Sequence, residues 1–515
     1  MSSQHYSHLS TARHNTLPYG LSLFALLLGI LHAQSFAPFN AWWLQLLCLA
    51  NLYFLSYQQR SVGHAVILGW AFGLGWFTSG LWWLYVSMHF YGHMPAPLAV
   101  LAVFLLAAFL ALFPAFALGL THKLCDHPPA IHYFTQHQNL PLTHAFIAAC
   151  TWGVSEWLRG TLFTGFPWLA SGYAHSDSPL SGYAALIGVY GISAIAAGVA
   201  SLLAQMHIKN HRRKIIFVLI IILCAGLAML QLRFTQALER HLTVRLVQGN
   251  IPQDLKFDPR TIEANLNQQT TLITANPADL IVASETALPM RLADLPLETL
   301  TRLQNFSMNT HSQLLLGALG QNQRGELSNS LLTLDGYRYD KAHLVPFGEF
   351  IPWGFNWFVN LMQIPLGNFS RGISAQAPLQ VNGTAFLPNI CYEDLFGEEI
   401  ARNLRAHPAN VLLNATNIAW FGNTRALDQH LQIARLRSLE TQLPTLRATN
   451  TGTTAWIDDR GQVRAALPSF QAGSLVVKIQ GYEGLTPFVR FGNIPLLLLA
   501  CGTLLFALIL RIRSA

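Results

Sequence analysis

Long apolar segments dominate the first half of the chain. A helix needs about 20 apolar residues to cross the hydrocarbon core of a bilayer. The pattern predicts eight transmembrane helices, at 16–34, 41–57, 64–86, 97–120, 143–162, 180–206, 214–233 and 492–512. The first seven predict a helical membrane domain over 1–233, and the last predicts a C-terminal transmembrane helix within 492–515.

A different pattern occupies residues 234–491. Short apolar runs typical of buried strands alternate there with helical patterns. The predicted strands are 243–248, 280–284, 313–317, 386–391 and 410–414. A helix is predicted over 424–440, with Leu427, Leu431 and Ala434 on one face. This segment therefore predicts an α/β domain of roughly 250 residues outside the membrane, a size that suits a single domain.

The composition supports a membrane protein. Of the 515 residues, 52% are apolar and 11% are charged, whereas soluble globular proteins average roughly 25% charged residues. These figures exclude a wholly soluble chain, a disordered chain and a disulfide-rich secreted domain. The net charge of +7 predicts no nucleic-acid partner, because membrane topology explains the basic residues beside the apolar segments.

The basic residues are distributed unevenly over the loops. The loops at about 35–40, 87–96 and 163–179 contain neither Lys nor Arg. The basic residues fall on the other side of the predicted membrane, at Arg13, Arg60, Lys123, 209–214, Arg511 and Arg513. Because cytoplasmic loops carry the excess of Lys and Arg, both termini are predicted to be cytoplasmic and the α/β domain to lie in a periplasm-like space.

One cysteine stands apart from the other five. Cys391 is the only cysteine between 234 and 491, so a disulfide within that domain is excluded. Its position alone fits an inert buried thiol and a nucleophile equally well. The apolar run before it and the acidic residues after it indicate a strand that leads into a helix. Backbone N–H groups at such a turn favour a thiolate and can hold an oxyanion.

Two further charged residues occur at predicted strand ends. Glu285 follows the apolar run 280–284, and Lys341 lies in a polar stretch after another strand pattern. Strand ends can converge at one edge of a sheet. A carboxylate, an ammonium and a thiol would then supply a base, an electrostatic stabiliser and a nucleophile, although either charge alone is typical of a protein surface.

These residues carry a family resemblance. Residues 242–460 resemble the nitrilase superfamily, with its Glu, Lys, Cys order, and nearly the whole chain resembles the apolipoprotein N-acyltransferases, the membrane-bound branch of that superfamily. The shared motifs in the α/β domain are 246–251, 339–341, 344–349, 391–393, 420–422, 429–430 and 447–452. Those in the membrane domain are Trp152, Glu156, Trp157, Arg159 and 164–168.

The resemblance implies a fold and a set of roles. It implies eight spans below a nitrilase-like α-β-β-α sandwich, with Glu285 as general base, Lys341 as oxyanion stabiliser and Cys391 as nucleophile. It also implies that five further residues support the site or bind substrate, and that Tyr392 does so through its backbone N–H. These residues are Asn329, Glu349, Tyr392, Glu393 and Trp420.

Two positions depart from the family pattern. Phe257 stands where the family usually has Trp, which keeps an apolar ring for packing or lipid contact but removes an indole donor. Ile418 stands where the family usually has Asp, so any role of that acid is in doubt here. Neither departure affects Glu285, Lys341 or Cys391.

The implied reaction is a ping-pong acyl transfer without a cofactor or metal. A phospholipid donates an acyl chain to the cysteine, and the α-amine of a diacylglyceryl-cysteine at a lipoprotein N-terminus accepts it. The implied location is the bacterial inner membrane, with the catalytic domain in the periplasm. A membrane-tethered amidase is disfavoured because eight spans exceed a tether, and a transporter is disfavoured because inverted repeats are not evident.

Three features have competing interpretations. The apolar stretch 351–364, which includes Trp357, fits either a buried core or a mobile lid that dips into the membrane. Glu156 and Arg159 lie three residues apart on one helix face. They fit either a structural ion pair or a contact for phospholipid headgroups. The histidines of the loop around 122–137 lack a familiar zinc spacing, so a solvated loop is favoured over a metal site.

Overall fold

The computed structural model describes residues 17, 19–125, 140–352, 354 and 369–514. Each of the eight apolar segments contains helical structure. Single turns, such as Leu84–Val86, connect some of the longer helices. The helices before the α/β domain are α1 (Tyr19–His32), α2 (Trp42–Tyr57), α3 (Val62–Gly80), α4 (Ala96–Leu110), α5 (Leu112–Leu124), α6 (Leu140–Thr161), α7 (Ala184–Ala204) and α8 (Arg212–Met229).

Not all of these helices are long and apolar enough to cross a membrane by themselves. Within the described residues, three helical stretches meet both conditions: Val62–Gly80, Ala96–Leu124 and Pro179–Ala204. Tyr19–Ser35 and Ile494–Thr503 are apolar but shorter. Large apolar side chains such as Leu23, Phe104 and Phe217 point outward from the bundle, as expected for helices that contact lipid.

The α/β domain contains twelve strands in the part of the chain that the structure describes. They are β1 (Thr235–Gln248), β2 (Leu280–Ala283), β3 (Gln313–Gln321), β4 (Leu327–Leu332), β5 (Arg338–Asp340), β6 (Leu379–Val381), β7 (Thr384–Ile390), β8 (Val411–Thr416), β9 (Thr445–Thr449), β10 (Ala455–Ile457), β11 (Val463–Ala466) and β12 (Gly473–Gly484). They form two six-stranded sheets, in the orders β12-β1-β2-β3-β4-β5 and β11-β10-β9-β8-β7-β6.

The centre of each sheet is parallel. β1 pairs with β2 and β2 with β3 in parallel, as do β7 with β8 and β8 with β9, while the outer strands are antiparallel. β1 begins eight residues before the predicted strand because it pairs along its length with β12. The predicted strand 386–391 included Cys391, but β7 ends at Ile390. Cys391 is therefore the first residue of the following turn.

The sheets pack face to face, and helices cover their outer faces. Leu246, Val282, Phe386 and Leu413 are among the buried residues that form the core between the sheets. The remaining helices are α9 (Ile262–Ile273), α10 (Leu297–Thr310), α11 (Gly397–Ala406), α12 (Ala426–Thr441), α13 (Pro487–Phe491) and α14 (Ile494–Ser514). α9 and α10 cover the first sheet and α11 covers the second, which gives an α-β-β-α sandwich.

α12 lies between the second sheet and the membrane helices. The sequence predicts one apolar face, but the helix is buried on nearly every face. Its side chains Leu427, Ile433 and Leu436 belong to the same apolar cluster as residues of α2, α3 and α7. This contact joins the sandwich to the helical bundle and positions the second sheet directly above it.

Candidate active site

The carboxyl ends of the parallel strands meet at one edge of the sandwich. Glu285 follows β2, Cys391 follows β7, Asn417 follows β8 and Asn450 follows β9. The Asn450 side chain bonds both the N–H and the C=O of Ile251 after β1, and it also donates to Asn417 Oδ1 at 3.0 Å. The two sheets are therefore tied together where ligands usually bind in open parallel sheets.

Four buried polar side chains form what we call the carboxylate cluster: Glu285, Asn329, Lys341 and Glu349. Lys341 Nζ lies 3.1 Å from Glu285 Oε1 and 2.9 Å from Glu349 Oε1. Asn329 Nδ2 donates to the same two oxygen atoms, at 2.7 and 2.9 Å. Lys341 and Asn329 thus bridge two carboxylates, as the family resemblance implies for residues near the reacting centre.

The cluster fixes the charge states of its members. Burial alone would raise the pKa of Glu285, but the Lys341 and Lys256 cations and the N–H donors of Asn329 and Asn417 lower it overall. Burial alone would lower the pKa of Lys341, but Glu285 and Glu349 raise it overall. At neutral pH the site therefore holds an ionised carboxylate and an ammonium in contact.

Cys391 opens a turn that we call the nucleophile turn, Cys391–Leu395. Its φ of 54° lies in the left-handed region, which residues with a side chain adopt rarely. The residue is partly exposed. Burial of the thiol, followed by the charge of Glu285, raises the pKa of Cys391 to about 12. The resting residue is consequently a neutral thiol at neutral pH.

Glu393 binds the nucleophile turn to β5 and to the residues that follow Lys341. Its Oε2 accepts from the Ile390 N–H at 2.6 Å and from the Tyr339 hydroxyl at 2.9 Å. Its Oε1 accepts from the N–H groups of Ala342 and His343, at 2.7 and 3.0 Å. One side chain thus bonds both the start of the nucleophile turn and the residues that flank Lys341.

Lys256 is a member of the site that the sequence interpretation missed. It is 3% exposed, and its Nζ donates to the Glu285 carbonyl at 2.9 Å. Burial lowers the pKa of Lys256 to about 8, against the opposing effects of Glu285 and Cys391. The signal that could have found it was its place directly before Phe257, a position that the family comparison had already singled out.

His430 also belongs to the site although the sequence interpretation assigned it no role. Its Nδ1 lies 3.2 Å from an Arg447 guanidinium nitrogen, which can only donate. The neutral ring therefore carries its proton on Nε2, which donates to the Cys391 carbonyl at 3.2 Å. Burial and the Arg447 cation both lower the pKa of His430, in agreement with a neutral ring.

Of the other predicted site residues, Tyr392 is buried, whereas Phe257 and Trp420 are partly exposed. The Tyr392 side chain is buried, and its hydroxyl donates to the Gly165 carbonyl of the membrane domain at 3.1 Å. Phe257 and Trp420 are about half exposed, on loops that follow directly from Lys256 and Asn417. Trp420 makes an edge contact with Tyr91 between α3 and α4. Trp357 lies outside the described residues.

Three remaining features of the sequence lie at least partly within the described residues. No group of three or more metal-ligating side chains occurs within the described residues; most of the histidine loop lies outside them. Glu156 and Arg159 form a buried ion pair of 2.7 Å, with side chains 4% and 1% exposed. Ile418 is buried in the apolar cluster shared with the membrane helices, where it packs against hydrocarbon.

The two-sheet sandwich and its cysteine, glutamate and lysine define a nitrilase-like domain, and residues 243–487 match the family model for carbon-nitrogen hydrolases. Residues 28–202 match the model for the apolipoprotein N-acyltransferase N-terminal domain. The chain belongs to the apolipoprotein N-acyltransferase family.

Similar curated proteins support this assignment over nearly the full length. An apolipoprotein N-acyltransferase of Ralstonia nicotianae is 48% identical, over 95% of this chain and 93% of the relative. One of Bordetella bronchiseptica is 41% identical, over 94% and 96%. The crystal structure of a carbon-nitrogen hydrolase from Helicobacter pylori G27 shares 14% identity over 46% of this chain and 89% of that one, with a TM-score of 0.35, which is too low to add to the argument.

Proposed function

We propose that this protein transfers an acyl chain from a phospholipid to the α-amino group of the diacylglyceryl-cysteine at the N-terminus of an apolipoprotein. Family membership supports the reaction type. The observation that carries the proposal is the placement of Cys391 beside the carboxylate cluster, at the sandwich edge that contacts the apolar helices. The product is a triacylated lipoprotein, the last step of lipoprotein maturation.

The first half-reaction forms a thioester. Glu285 takes the proton of the Cys391 thiol, and the thiolate attacks the carbonyl carbon of a phospholipid ester, by family resemblance at the sn-1 position. Lys341 and backbone N–H groups such as that of Tyr392 stabilise the oxyanion. The C–O bond then breaks, and Glu285 returns its proton to the alkoxide of the departing lysophospholipid.

The second half-reaction forms the amide. The neutral α-amine of the diacylglyceryl-cysteine attacks the thioester carbon, and Glu285 takes one of its protons. The C–S bond breaks, and the proton returns to the thiolate of Cys391. Because the pKa of Cys391 is about 12 in the resting site, the thiolate is strongly basic and is reprotonated readily, so the enzyme returns to its starting state.

We infer that the contacts of the resting site prepare Glu285 and Lys341 for these steps. Glu285 is ionised at neutral pH, so it is ready to accept a proton. Lys341 remains charged throughout because it contacts two carboxylates. Glu349 accepts from that ammonium, and the Asn329 amide donates to both carboxylates. Glu393 binds the nucleophile turn to the backbone N–H groups that follow Lys341. These supporting residues reduce the motion needed for reaction.

The proposed arrangement in the membrane has eight spans. It comprises a membrane domain over 1–233, a periplasmic catalytic domain over 234–491 and a C-terminal span within 492–515. The loops that contact α12 include those with Ala37 and Trp168, which lie in stretches without Lys or Arg. Arg60 and the basic residues of 209–214 follow the other ends of α2 and α7. This charge distribution supports cytoplasmic termini and a periplasmic active site.

Lipid access from the bilayer follows from the cost of moving acyl chains through water. Each buried CH₂ group contributes about 0.8 kcal/mol, so a site far from the bilayer would face a large barrier. The exposed rings of Phe257 and Trp420 lie on loops that lead from the site, which supports lipid-contact roles for both. Trp357 remains a sequence prediction for the same role.

The test is acylation of the purified protein by phospholipid that carries a labelled acyl chain. We expect label on Cys391 in the wild type and no label in Cys391→Ala. Cys224→Ala is the matched control, because Cys224 is an exposed cysteine on α8, away from the site, and this variant should label like the wild type. A labelled thioester in Cys391→Ala would refute the assignment.

A further inference from the structure

A buried ion pair in the membrane domain lies close to the catalytic edge of the sandwich. Glu156 and Arg159 occupy the last turns of α6, 3% and 2% exposed, with 2.7 Å between Oε2 and Nη2. Charges at such depth are costly unless they are paired and hydrogen-bonded. Their remaining hydrogen bonds therefore indicate what the pair does.

Those bonds hold the loop 162–171 that follows α6. Arg159 Nη1 donates to the carbonyls of Phe166 and Trp168, at 2.6 and 2.9 Å. Glu156 Oε1 accepts from the hydroxyl and the N–H of Ser171, at 2.7 and 3.2 Å. The loop contains left-handed residues that bear side chains, including Thr164 at φ 74°, a conformation that persists only where the surroundings impose it.

The same loop contacts the nucleophile turn. The Gly165 carbonyl accepts from the Tyr392 hydroxyl at 3.1 Å. The Trp168 ring stacks on His430 with 5.6 Å between centroids, and His430 donates to the Cys391 carbonyl. Gly165 has φ 81°, and a Cβ atom there would lie 2.0 Å from the Gly160 carbonyl oxygen, so this close approach requires glycine.

We propose that Glu156 and Arg159 are positioning residues for the nucleophile. They act through the loop 162–171, which fixes the Cys391 backbone by way of Tyr392 and His430. This inference rests on the proposed role of Cys391 in acyl transfer. It replaces the idea that the pair contacts phospholipid headgroups, because both charges are buried and bonded within the protein.

The proposal predicts an effect on rate and not on lipid binding. Arg159→Lys keeps the charge but loses the planar fork that reaches Glu156 and two carbonyls together. We expect the single-turnover rate of Cys391 acylation at saturating phospholipid to fall ~10- to 100-fold, since small misplacements of reacting groups cost about that much. The phospholipid concentration at half-maximal rate should change less than about twofold.

The matched control is Thr151→Val on the same helix. Thr151 is fully buried and lies 2.6 Å from Thr121, but its hydrogen bonds do not reach the loop. We expect this variant to lose thermal stability, measured as Tm, with no loss of acylation rate per folded molecule. If Arg159→Lys lowers Tm like the control and keeps the wild-type acylation rate, the proposal is wrong.

A second variant covers the case in which Arg159→Lys fails to fold. Tyr392→Phe removes only the hydroxyl that bonds Gly165, and it should slow acylation several-fold without a change in half-saturation. Where both variants fold, the double variant should lose less than the product of the single losses, because they act through one contact. Fully independent losses, or an unaltered rate in Tyr392→Phe, would overturn the proposal.

The readout separates this inference from the proposed function. Acyl label on the Cys391→Ala protein would refute the proposed function itself. Label on Cys391 in the wild type, together with unaltered rates in the positioning variants, would refute only the role of Glu156 and Arg159.

Discussion

The two halves of the candidate site are supported from different parts of the molecule. Within the carboxylate cluster, Glu285 and Glu349 both accept from Lys341 and Asn329, and each also accepts from a backbone N–H group of the sandwich. The nucleophile turn is held on one side by Glu393 of the sandwich and on the other by Tyr173 and Gly165 of the membrane domain. Within the described residues, the bonds of Glu285 and Lys341 therefore come from the sandwich, whereas the turn that carries Cys391 is also bonded to the helical bundle.

This difference suggests that the carboxylate cluster and the nucleophile turn can be altered separately. In the sandwich, the carboxylate of Glu285 follows the parallel strand β2 and the ammonium of Lys341 follows the antiparallel strand β5. Around the nucleophile turn, by contrast, Trp168 of the membrane domain stacks on His430, and the indoles of Trp83 and Trp168 donate to Gln429. Changes in the carboxylate cluster should alter proton transfer, and changes around the turn should alter the position of the thiol.

The largest expected effect is in the sandwich half. Glu285→Gln removes the base, and acylation of Cys391 should slow about 10²- to 10⁴-fold. The charge of Glu285 raises the pKa of Cys391, so the variant should also lower that pKa and speed alkylation by a neutral reagent at pH 9. Glu483→Gln is the control, because Glu483 is an exposed residue of β12. Parallel loss of acylation and alkylation would contradict a base role.

Lys341→Met tests the ammonium. Loss of one oxyanion donor commonly slows reaction about 10²- to 10³-fold, and this variant also leaves Glu285 and Glu349 without their shared cation. We expect slower acylation together with a raised pKa of Glu285, visible as a shift of the acidic limb of the rate profile to higher pH. Lys478→Met, an exposed lysine, should behave as wild type. An unshifted acidic limb would count against the contact.

Glu393→Gln tests the bond between the two halves. The amide replaces one acceptor oxygen with a donor that faces N–H groups, and an unsatisfied buried donor costs about 1–3 kcal/mol. We expect acylation to slow ~10- to 100-fold with a modest fall in Tm. Glu399→Gln, which loses only a contact to His343, serves as the comparison. Equal rates in the two variants would show that Glu393 does not set the thiol position.

The smallest effect concerns Lys256. Its pKa of about 8 places loss of the ammonium within the working range, so acylation should decline as pH rises through 8, and Lys256→Met should lack this decline. The unfolding free energy should instead increase as the pH rises, while the acylation rate decreases. The unfolded lysine holds its proton up to about pH 10.4, so the unfolding free energy of the wild type should rise between pH 8 and about 10.4. A pH-independent wild-type rate across this range would refute the assignment.

The residues that the sequence predicted share a local signal. Glu285 and Cys391 follow apolar runs that form parallel strands, and Lys341 follows the short antiparallel strand β5, so each of the three lies just after a strand. Lys256 and His430 gave no equivalent signal, because their roles depend on partners distant in sequence. The contact between Trp168 and Gln429 spans 261 residues, and periodicity along the chain carries no information about it. The full length of β1 was missed for the same reason, since its partner is β12.

A chase experiment tests the central claim most directly. Purified protein is first exposed to phospholipid, freed of excess lipid, and then mixed with a diacylated lipopeptide while the mass of the Cys391 peptide is followed. The account predicts one acyl chain on Cys391 that disappears at the rate at which N-acylated lipopeptide appears. Product formation without an acyl chain on Cys391, or an acyl chain that the lipopeptide cannot remove, would contradict it.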